Sequence, residues 1–292
     1  MLIVRYVVMS EIMDKASIGM KFSLASFDFF LLVLSVVAVT AAGNIINDYF
    51  DQKVDKINKP ERVMVGKKVK RRVAILLHQA LNVSGILLSL FVCVRTGYYW
   101  PIIIPIFIIT ILWWYSPILK KKIFIGNLSV AVCTAAVPLW AALFEILVMK
   151  DSYGDLLVDA TSFFTNLWLW IFALCSFALL LTLIREAVKD MEDMQGDKEG
   201  EYQTIPLVFG ETKTKRYIYG LMAVFLIAAG LGVSRLSNLN DYIFFGVLIL
   251  LPALFTMYSI AKASTQKDYR NSSFYLKVMI LCGLTMIVIV LR

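Results

Sequence analysis

Long apolar stretches, each near twenty residues, recur from one end of the chain to the other, with shorter polar connections between them. A helix needs about 20 apolar residues to cross the roughly 30 Å hydrocarbon core of a bilayer. The stretches show no period-two alternation, so they predict helices rather than barrel strands. The predicted spans are 28–47, 73–95, 98–116, 123–149, 162–184, 216–235, 241–262 and 273–291. A further stretch, from Leu2 to about Met13, is too short to span and predicts a short or truncated first helix.

Composition supports the same interpretation. Hydrophobic residues make up 60% of the 292 positions and charged residues 17%, against about 45–50% and about 25% in soluble domains. We therefore predict an all-α polytopic membrane protein with about nine transmembrane helices in a single domain over residues 1–292. The four cysteines lie in apolar stretches without paired spacing, and His78 is the only histidine, so these five residues are predicted to pack in the core.

Charge predicts the orientation in the membrane. The chain has 29 Lys and Arg against 21 Asp and Glu, and 22 of the 29 fall in four connections: 48–72, 117–122, 185–216 and 262–277. Basic connections stay on the cytoplasmic side, so these four are predicted to face the cytoplasm from the cytoplasmic (inner) membrane. With so few soluble segments, the excess of positive charge favours anionic lipid or an anionic substrate over nucleic acid. No obligate protein partner is evident.

Two of these connections carry the same arrangement of acidic residues. The carboxylates are spaced three and then four residues apart in both, and another polar residue, Asn44 or Glu186, stands four positions earlier. The two trios are Asp48, Asp51 and Asp55, and Asp190, Asp193 and Asp197. This repetition predicts two pseudo-repeated halves, with motif loops at 44–72 and 185–210.

Helical geometry gives this spacing a chemical meaning. At about 100° per residue, each trio forms a stripe within an arc of about 60° on one helix face. Carboxylates so close together repel one another unless a cation neutralises them. Mg²⁺ binds hard oxygen ligands, usually one or two carboxylates plus substrate phosphates. Either trio alone also fits a solvated helix end, but the pair together favours a metal-bridged diphosphate site.

Four basic residues near the two trios are candidates to hold phosphate oxygens that metal ions do not reach. They are Arg62, Lys120, Arg185 and Lys189. Each one taken singly also fits an ordinary basic residue of a cytoplasmic connection.

The residues resemble the UbiA superfamily of intramembrane prenyltransferases. Its first aspartate-rich motif is similar to NDYFDQKVDKINKPER, with Asn47, Asp51 and Asp55, and its second to REAVKDMEDMQGDKEG, followed by QTIPLVFG. The family's mid-chain signature is similar to WWYSPILKK, with Tyr115, Ser116 and Lys120, followed by Gly126 and Asn127. The resemblance covers the chain from about residue 28 onward. It implies a nine-helix bundle with both motifs on cytoplasmic loops over a central cavity.

The resemblance also implies roles for individual residues. The implied catalytic residues are Asp51, Asp55, Asp193, Asp197 and Tyr115. The implied substrate-binding residues are Asn47, Arg62, Lys120, Arg185, Lys189 and Asn127. The implied Mg²⁺ ligands are Asn47, Asp48, Asp51, Asp55, Asp190, Asp193 and Asp197. The family's first helix usually opens with an Arg-Pro-containing segment, which this sequence lacks, so the contribution of that segment to the acceptor pocket is in question.

Within the superfamily, INKPER and the RE–KD–ED–GD pattern of the second motif are most similar to the digeranylgeranylglyceryl phosphate synthase-like branch. This likeness implies Mg²⁺-dependent transfer of a prenyl group, predicted to come from geranylgeranyl diphosphate, to the hydroxyl of a prenylated glycerol phosphate in phospholipid biosynthesis. The alternative is an aromatic-acceptor prenyltransferase of quinone biosynthesis. A transporter is less favoured, because the acids lie at helix ends among basic residues and not singly at mid-span. A CDP-alcohol phosphotransferase is disfavoured because Gln52 follows Asp51, where that family's motif requires Gly.

The implied reaction produces an allylic cation when the diphosphate leaves. Aromatic faces stabilise cations by about 2 kcal/mol or more when desolvated. Tyr115, Trp113, Trp114 and Tyr49 are candidates for this role, although aromatic residues near the membrane interface often serve only as anchors.

Overall fold

The computed structural model describes residues 1–15, 20–61, 63–157, 161–234 and 238–291. These residues are almost entirely helical, and their only strand-like pairing is an isolated bridge between Val65 and Val69. The α-helices are α1 (Ser10–Lys15), α2 (Ser26–Phe50), α3 (Gln52–Asn58), α4 (Arg71–Thr96), α5 (Ile103–Tyr115), α6 (Ile125–Leu157), α7 (Thr161–Glu199), α8 (Ile205–Phe209), α9 (Glu211–Val233), α10 (Leu239–Phe245), α11 (Leu251–Lys262) and α12 (Gln266–Leu291). The predicted all-α fold is therefore confirmed.

Short π-helical and 3₁₀ segments extend some of these helices. A π-helical stretch at Val4–Met9 precedes α1, and another at Gly246–Leu250 joins α10 to α11. The 3₁₀ turns are Trp100–Ile102, before α5, and Leu119–Lys121, after it. Short π-helical insertions of this kind are an accepted variant within longer helices.

Seven helices in the described ranges are long and apolar enough to cross a membrane. They are Ser26–Phe50, Arg71–Thr96, Ile125–Tyr153, Phe163–Glu199, Glu211–Val233, Leu239–Lys262 and Gln266–Leu291. The predicted span 98–116 forms the shorter apolar helix Trp100–Tyr115, and the N-terminal stretch forms only the helical segments up to Lys15. The number nine is thus not confirmed. The helices present large exposed apolar side chains, such as Leu76, Leu231 and Leu281, as lipid-facing surfaces do.

The chain forms two compact units. One comprises Met1–Leu119 with Ala135–Cys175, and the other Lys120–Thr134 with Ser176–Arg292. The first acidic motif belongs to the first unit and the second motif to the second unit.

In the first unit, α2 and α4 pack closely through small residues. Ser35 Oγ donates a hydrogen bond to the Gly85 carbonyl oxygen at 2.8 Å and lies 2.7 Å from Ser89 Oγ. A Cβ atom at Gly85 would lie 2.7 Å from Val39 Cγ2, so only glycine fits this contact without movement. Small residues allow helix backbones to approach in this way within membranes. His78, on α4, is buried and donates from Nδ1 to the Ala42 carbonyl oxygen at 2.9 Å, which agrees with its predicted place in the core.

The second unit is built around the part of α7 after Ser176. Apolar residues of this segment pack with α9, α11 and α12 in one buried cluster, in which Ile184, Val188, Met222, Ile260 and Leu276 are fully buried. This packing fixes one face of α7. The opposite side of the same helix is available for polar residues.

Candidate functional site

The first motif lies at the junction of α2 and α3. Asp51 directly follows Phe50, the last residue of α2, has φ −82° and ψ 4°, and precedes Gln52, the first residue of α3. This sparsely populated backbone region is where many active-site residues lie. The hydrogen bonds nevertheless continue in helical register, from Asp51 N–H to the Asn47 carbonyl at 2.9 Å and from Asp55 N–H to the Asp51 carbonyl at 2.8 Å. The segment predicted to carry this stripe on one helix face is thus divided into α2 and α3 at Asp51, while the hydrogen bonds keep Asn47, Asp51 and Asp55 in helical register.

The polar residues of the first motif differ in solvent exposure. Asp51 is only 1% exposed, and Asn47 and Asp55 are half-buried. Asp48 is exposed. Asn47, Asp51 and Asp55, which are four positions apart, thus follow the more buried side of the segment.

The second motif lies on one continuous helix. Helix α7 extends to Glu199, so Asp190, Asp193 and Asp197 share one face, as their spacing predicts. Asp197 is 2% exposed, and Asp190 and Asp193 are half-buried.

In the described residues, no three His, Cys, Asp or Glu side chains are close enough together to form a metal site. The donor types nevertheless suit Mg²⁺, since the two motifs offer carboxylate and amide oxygens, and Asp51 and Asp197 are buried. The assignment of metal ligands remains a prediction.

Two of the predicted phosphate-binding cations share one acidic partner. Arg185 Nη1 donates to Glu186 Oε1 at 2.5 Å, and Lys189 Nζ lies 3.8 Å from Glu186 Oε2. Glu186 is almost fully buried, so these cations compensate its charge. The side chains of Arg185 and Lys189 both remain about one-third exposed. Arg62, the third predicted cation, lies outside the described residues.

Lys120 lies close to the end of the second motif. Its Nζ atom is 5.3 Å from the ring centroid of Tyr202, and Lys121 Nζ is 5.8 Å from the same ring. The Tyr202 N–H donates to the carbonyl oxygen of Asp197 at 2.9 Å, and the Gln203 N–H donates to the Lys121 carbonyl at 3.2 Å. These bonds place the basic segment beside the residues that follow α7.

Two residues of the mid-chain signature each make one side-chain hydrogen bond to an acidic motif: Ser116, directly after α5, and Asn127, the third residue of α6. Ser116 Oγ donates to Asn47 Oδ1 at 3.0 Å, within the first unit. Asn127 Nδ2 donates to Asp190 Oδ2 at 2.9 Å, within the second unit. The mid-chain signature is therefore in contact with both acidic motifs.

The aromatic candidates differ in exposure. Trp113 and Trp114 are exposed, which is typical of membrane-facing anchors. Tyr49 stacks beneath the guanidinium group of Arg71, whose Cζ lies 4.8 Å from its ring centroid. Tyr115 is half-buried and directly precedes Ser116. Among the four aromatics, Tyr115 is the one that is both partly enclosed and next to a residue that contacts the first motif.

Sequence reasoning gave no role to Ser116, Tyr202 or the pair Glu192 and Arg270. Arg270 Nε donates to Glu192 Oε1 at 3.2 Å and so connects α12 to α7 beside the second motif. Ser116 belongs to the mid-chain signature, and this was the only feature of the sequence that pointed to a role for it. The other contacts join residues far apart in the sequence, which spacing alone does not reveal.

The described residues contain seven helices of membrane-spanning length and two aspartate motifs, one hydrogen-bonded to Ser116 and the other to Asn127. These features are typical of a polytopic membrane enzyme. The match to a family model identifies it: the chain belongs to the UbiA prenyltransferase family, whose model matches residues 16–281. The protein is thus an integral multi-pass membrane prenyltransferase, and the transporter alternative is wrong.

Several relatives are similar over most of their length. The digeranylgeranylglyceryl phosphate synthase of Thermococcus kodakarensis is 30% identical over 254 residues, which cover 86% of this chain and 80% of that protein. The protein of the same name from Saccharolobus solfataricus is 32% identical over 255 residues, covering 87% and 81%. The likeness to this branch, predicted from the motifs, is confirmed.

Solved structures share the fold. One, described as giving insights into digeranylgeranylglyceryl phosphate synthase in membranes, has a TM-score of 0.62 and 25% identity and covers 92% of this chain and 87% of its own. A UbiA homologue from Aeropyrum pernix, in its apo form, has a TM-score of 0.62 at 16% identity, with coverage of 91% and 90%. A UbiA homologue from Archaeoglobus fulgidus bound to GPP and Mg²⁺ has a TM-score of 0.54 at 17% identity, with coverage of 98% of both chains.

Proposed function

We propose that this protein transfers a geranylgeranyl group from geranylgeranyl diphosphate to the hydroxyl of a prenylated glycerol phosphate, with Mg²⁺ as cofactor. The observation that carries the proposal is the identity of about 30% to digeranylgeranylglyceryl phosphate synthases over more than four-fifths of the chain. The reaction takes place in the cytoplasmic membrane, with the two motifs facing the cytoplasm. One domain over residues 1–292 carries it out, acting on lipid-soluble substrates within the bilayer.

The oxygen-rich motifs support a role in holding metal and diphosphate. Asp51 and Asp55 of the first motif, with Asn47, and Asp193 and Asp197 of the second offer hard oxygen ligands. A bound Mg²⁺ ion supplies Lewis-acid stabilisation of the leaving diphosphate. Asp48 and Asp190 are further carboxylate ligands of Mg²⁺.

The basic residues balance the remaining charge of the diphosphate. Lys120 belongs to a basic segment beside Tyr202, and Arg185 and Lys189 keep part of their surface exposed next to Glu186. With Arg62, these side chains donate hydrogen bonds to phosphate oxygens and hold the donor during bond breaking.

The chemical balance is simple. The bond between the allylic carbon and the diphosphate oxygen breaks, and a new bond forms from the same carbon to the acceptor oxygen. The acceptor hydroxyl loses its proton to an oxygen of the departing diphosphate, and the protonated diphosphate is released. Tyr115 stabilises the allylic cation through its ring face. The apolar helices around the prenyl chain exclude water, which otherwise captures the cation.

The aromatic-acceptor alternative shares the metal motifs and differs in the acceptor. Purified protein is incubated with geranylgeranyl diphosphate and Mg²⁺, and is offered a geranylgeranylated glycerol phosphate or a panel of aromatic acids. Mass spectrometry then identifies the product. A doubly prenylated glycerol phosphate supports the proposal, whereas a prenylated aromatic ring with no glycerol product overturns it in favour of the alternative.

A further inference from the structure

We propose that Ser116 and Asn127 are positioning residues that orient one oxygen-bearing side chain in each acidic motif. This inference rests on the proposed Mg²⁺-dependent transfer and assigns Asn127 a different role from direct substrate binding. Ser116 directly follows α5, and Asn127 is the third residue of α6. Neither belongs to the acidic motifs themselves.

Ser116 orients Asn47. Its hydroxyl donates to Asn47 Oδ1 at 3.0 Å, and the serine is 1% exposed. A serine has a single O–H donor, which is used in this bond. The bond fixes which way the Asn47 amide points and leaves a second lone pair on Oδ1 for a hard cation. The burial of Ser116 keeps it away from substrate, so its effect is exerted through Asn47.

Asn127 orients Asp190. Its Nδ2 atom donates to Asp190 Oδ2 at 2.9 Å, and the asparagine is buried. The bond occupies one carboxylate oxygen and fixes the plane of the carboxylate, so that Oδ1 points in a defined direction. Partners of this kind, one step removed from a metal, typically change metal affinity by about 10- to 100-fold when they are lost.

The backbone before α6 supports this role for Asn127. Phe124 has φ 62°, which is uncommon for a residue other than glycine. Its carbonyl accepts a hydrogen bond from the Leu128 N–H at 2.9 Å, and so it begins the helix on which Asn127 lies. The Phe124 ring packs against Phe209 and Tyr217, with centroid distances of 5.9 and 5.7 Å. Unfavourable conformations persist where surrounding contacts hold them and often accompany functional sites.

The test uses Ser116→Ala and the isosteric Asn127→Asp, which removes the N–H donor without changing size. Ser116→Thr keeps the hydroxyl and serves as the rescue variant. Ser129→Ala is the matched control, because Ser129 is half-buried and, among the contacts described, bonds only to the Ile125 carbonyl of its own helix.

Two quantities are measured on full-length protein in detergent: the Mg²⁺ concentration that gives half-maximal activity, and the rise in Tm caused by Mg²⁺ with inorganic pyrophosphate. Ser116→Ala and Asn127→Asp should need about 10-fold more Mg²⁺ and lose most of the rise in Tm. The acceptor KM should stay unchanged, and Ser116→Thr and Ser129→Ala should match the unaltered protein.

A normal Mg²⁺ requirement combined with a raised donor or acceptor KM would overturn the inference and indicate direct substrate contact. A Tm that is lowered equally with and without Mg²⁺ would also overturn it and indicate a purely structural role. If the unaltered protein itself shows neither Mg²⁺-dependent melting nor product, the proposed function fails. If it shows both while the variants behave normally, only the positioning role fails.

Discussion

Arg5 and Glu145 form an ion pair in which both side chains are almost completely buried. Arg5 Nη2 lies 3.4 Å from Glu145 Oε2, with exposures of 1% and 0%. Glu145 Oε1 also accepts hydrogen bonds from the backbone N–H groups of Ser23 and Leu24 at 2.6 and 3.1 Å, and Arg5 donates to the Leu24 carbonyl oxygen. This pair joins the short N-terminal helical segment to α6 within the first unit. The segment is thereby part of the fold although it is too short to span the membrane.

We expect Glu145→Gln to lower the free energy of unfolding by about 3–5 kcal/mol, because it leaves the buried charge of Arg5 unpaired. Adding Arg5→Met to the same protein should recover most of that loss, since no charge then remains buried. Equilibrium unfolding in mixed micelles measures both values. A cost below about 1 kcal/mol for the single variant would contradict the importance of the pair.

Gly85→Ala should destabilise the packing of α2 against α4 by about 1–3 kcal/mol, because the new Cβ meets Val39 and the Ser35 carbonyl oxygen at 2.7 and 3.3 Å. Adding Val39→Ala should restore part of the stability. Gly220→Ala on α9 is the matched control, because a Cβ there meets no atom within 4 Å. It should be neutral or slightly stabilising. Thermal melts in detergent compare the variants, and equal effects at Gly85 and Gly220 would refute the steric explanation.

Removing divalent metal should abolish prenyl transfer, since the carboxylates within each motif then repel one another and the diphosphate. Product formation is measured in excess EDTA and again after Mg²⁺ is added back. Activity should return in full with Mg²⁺. Undiminished turnover in EDTA would remove the basis for the metal site.

Lys120→Ala should raise the KM for the diphosphate donor by about 10-fold and leave the acceptor KM nearly unchanged, because a lost charge-assisted hydrogen bond to phosphate is worth about 1.5–3 kcal/mol. Arg62→Ala is predicted to behave in the same way. Steady-state kinetics with each substrate varied in turn checks both. An effect confined to the acceptor KM would assign the residue to the acceptor site instead.

The sequence was sufficient to predict the all-α membrane fold, the family and the two acidic motifs, because these depend on apolar length and local spacing. The helical stripe holds for Asp190, Asp193 and Asp197, which share α7. In the first motif the segment is divided into α2 and α3 at Asp51, and nothing in the local sequence indicates this division.

Other features depend on tertiary contacts that spacing does not encode. The predicted span 98–116 is only a short helix. Arg185 and Lys189 pair with Glu186. The burial of Glu186 is visible only in the folded structure. The hydrogen bond from Ser116 to Asn47 joins the segment directly after α5 to α2. Its existence follows from the way the helices pack within the first unit.

The central claim of the proposed function is that prenyl transfer needs both acidic motifs acting together, and the most direct test is a double-mutant cycle. Asp51→Asn and Asp193→Asn are made singly and together, and kcat for prenyl transfer is measured for each. Asp151→Asn is the control, since its Oδ1 accepts a hydrogen bond from Tyr98 that asparagine can keep. Residues that act as a unit are strongly non-additive. The account predicts that each single variant loses nearly all activity, that the double variant is scarcely worse, and that the control is silent. Independent, multiplicative losses at Asp51 and Asp193 would show two separate sites and contradict it.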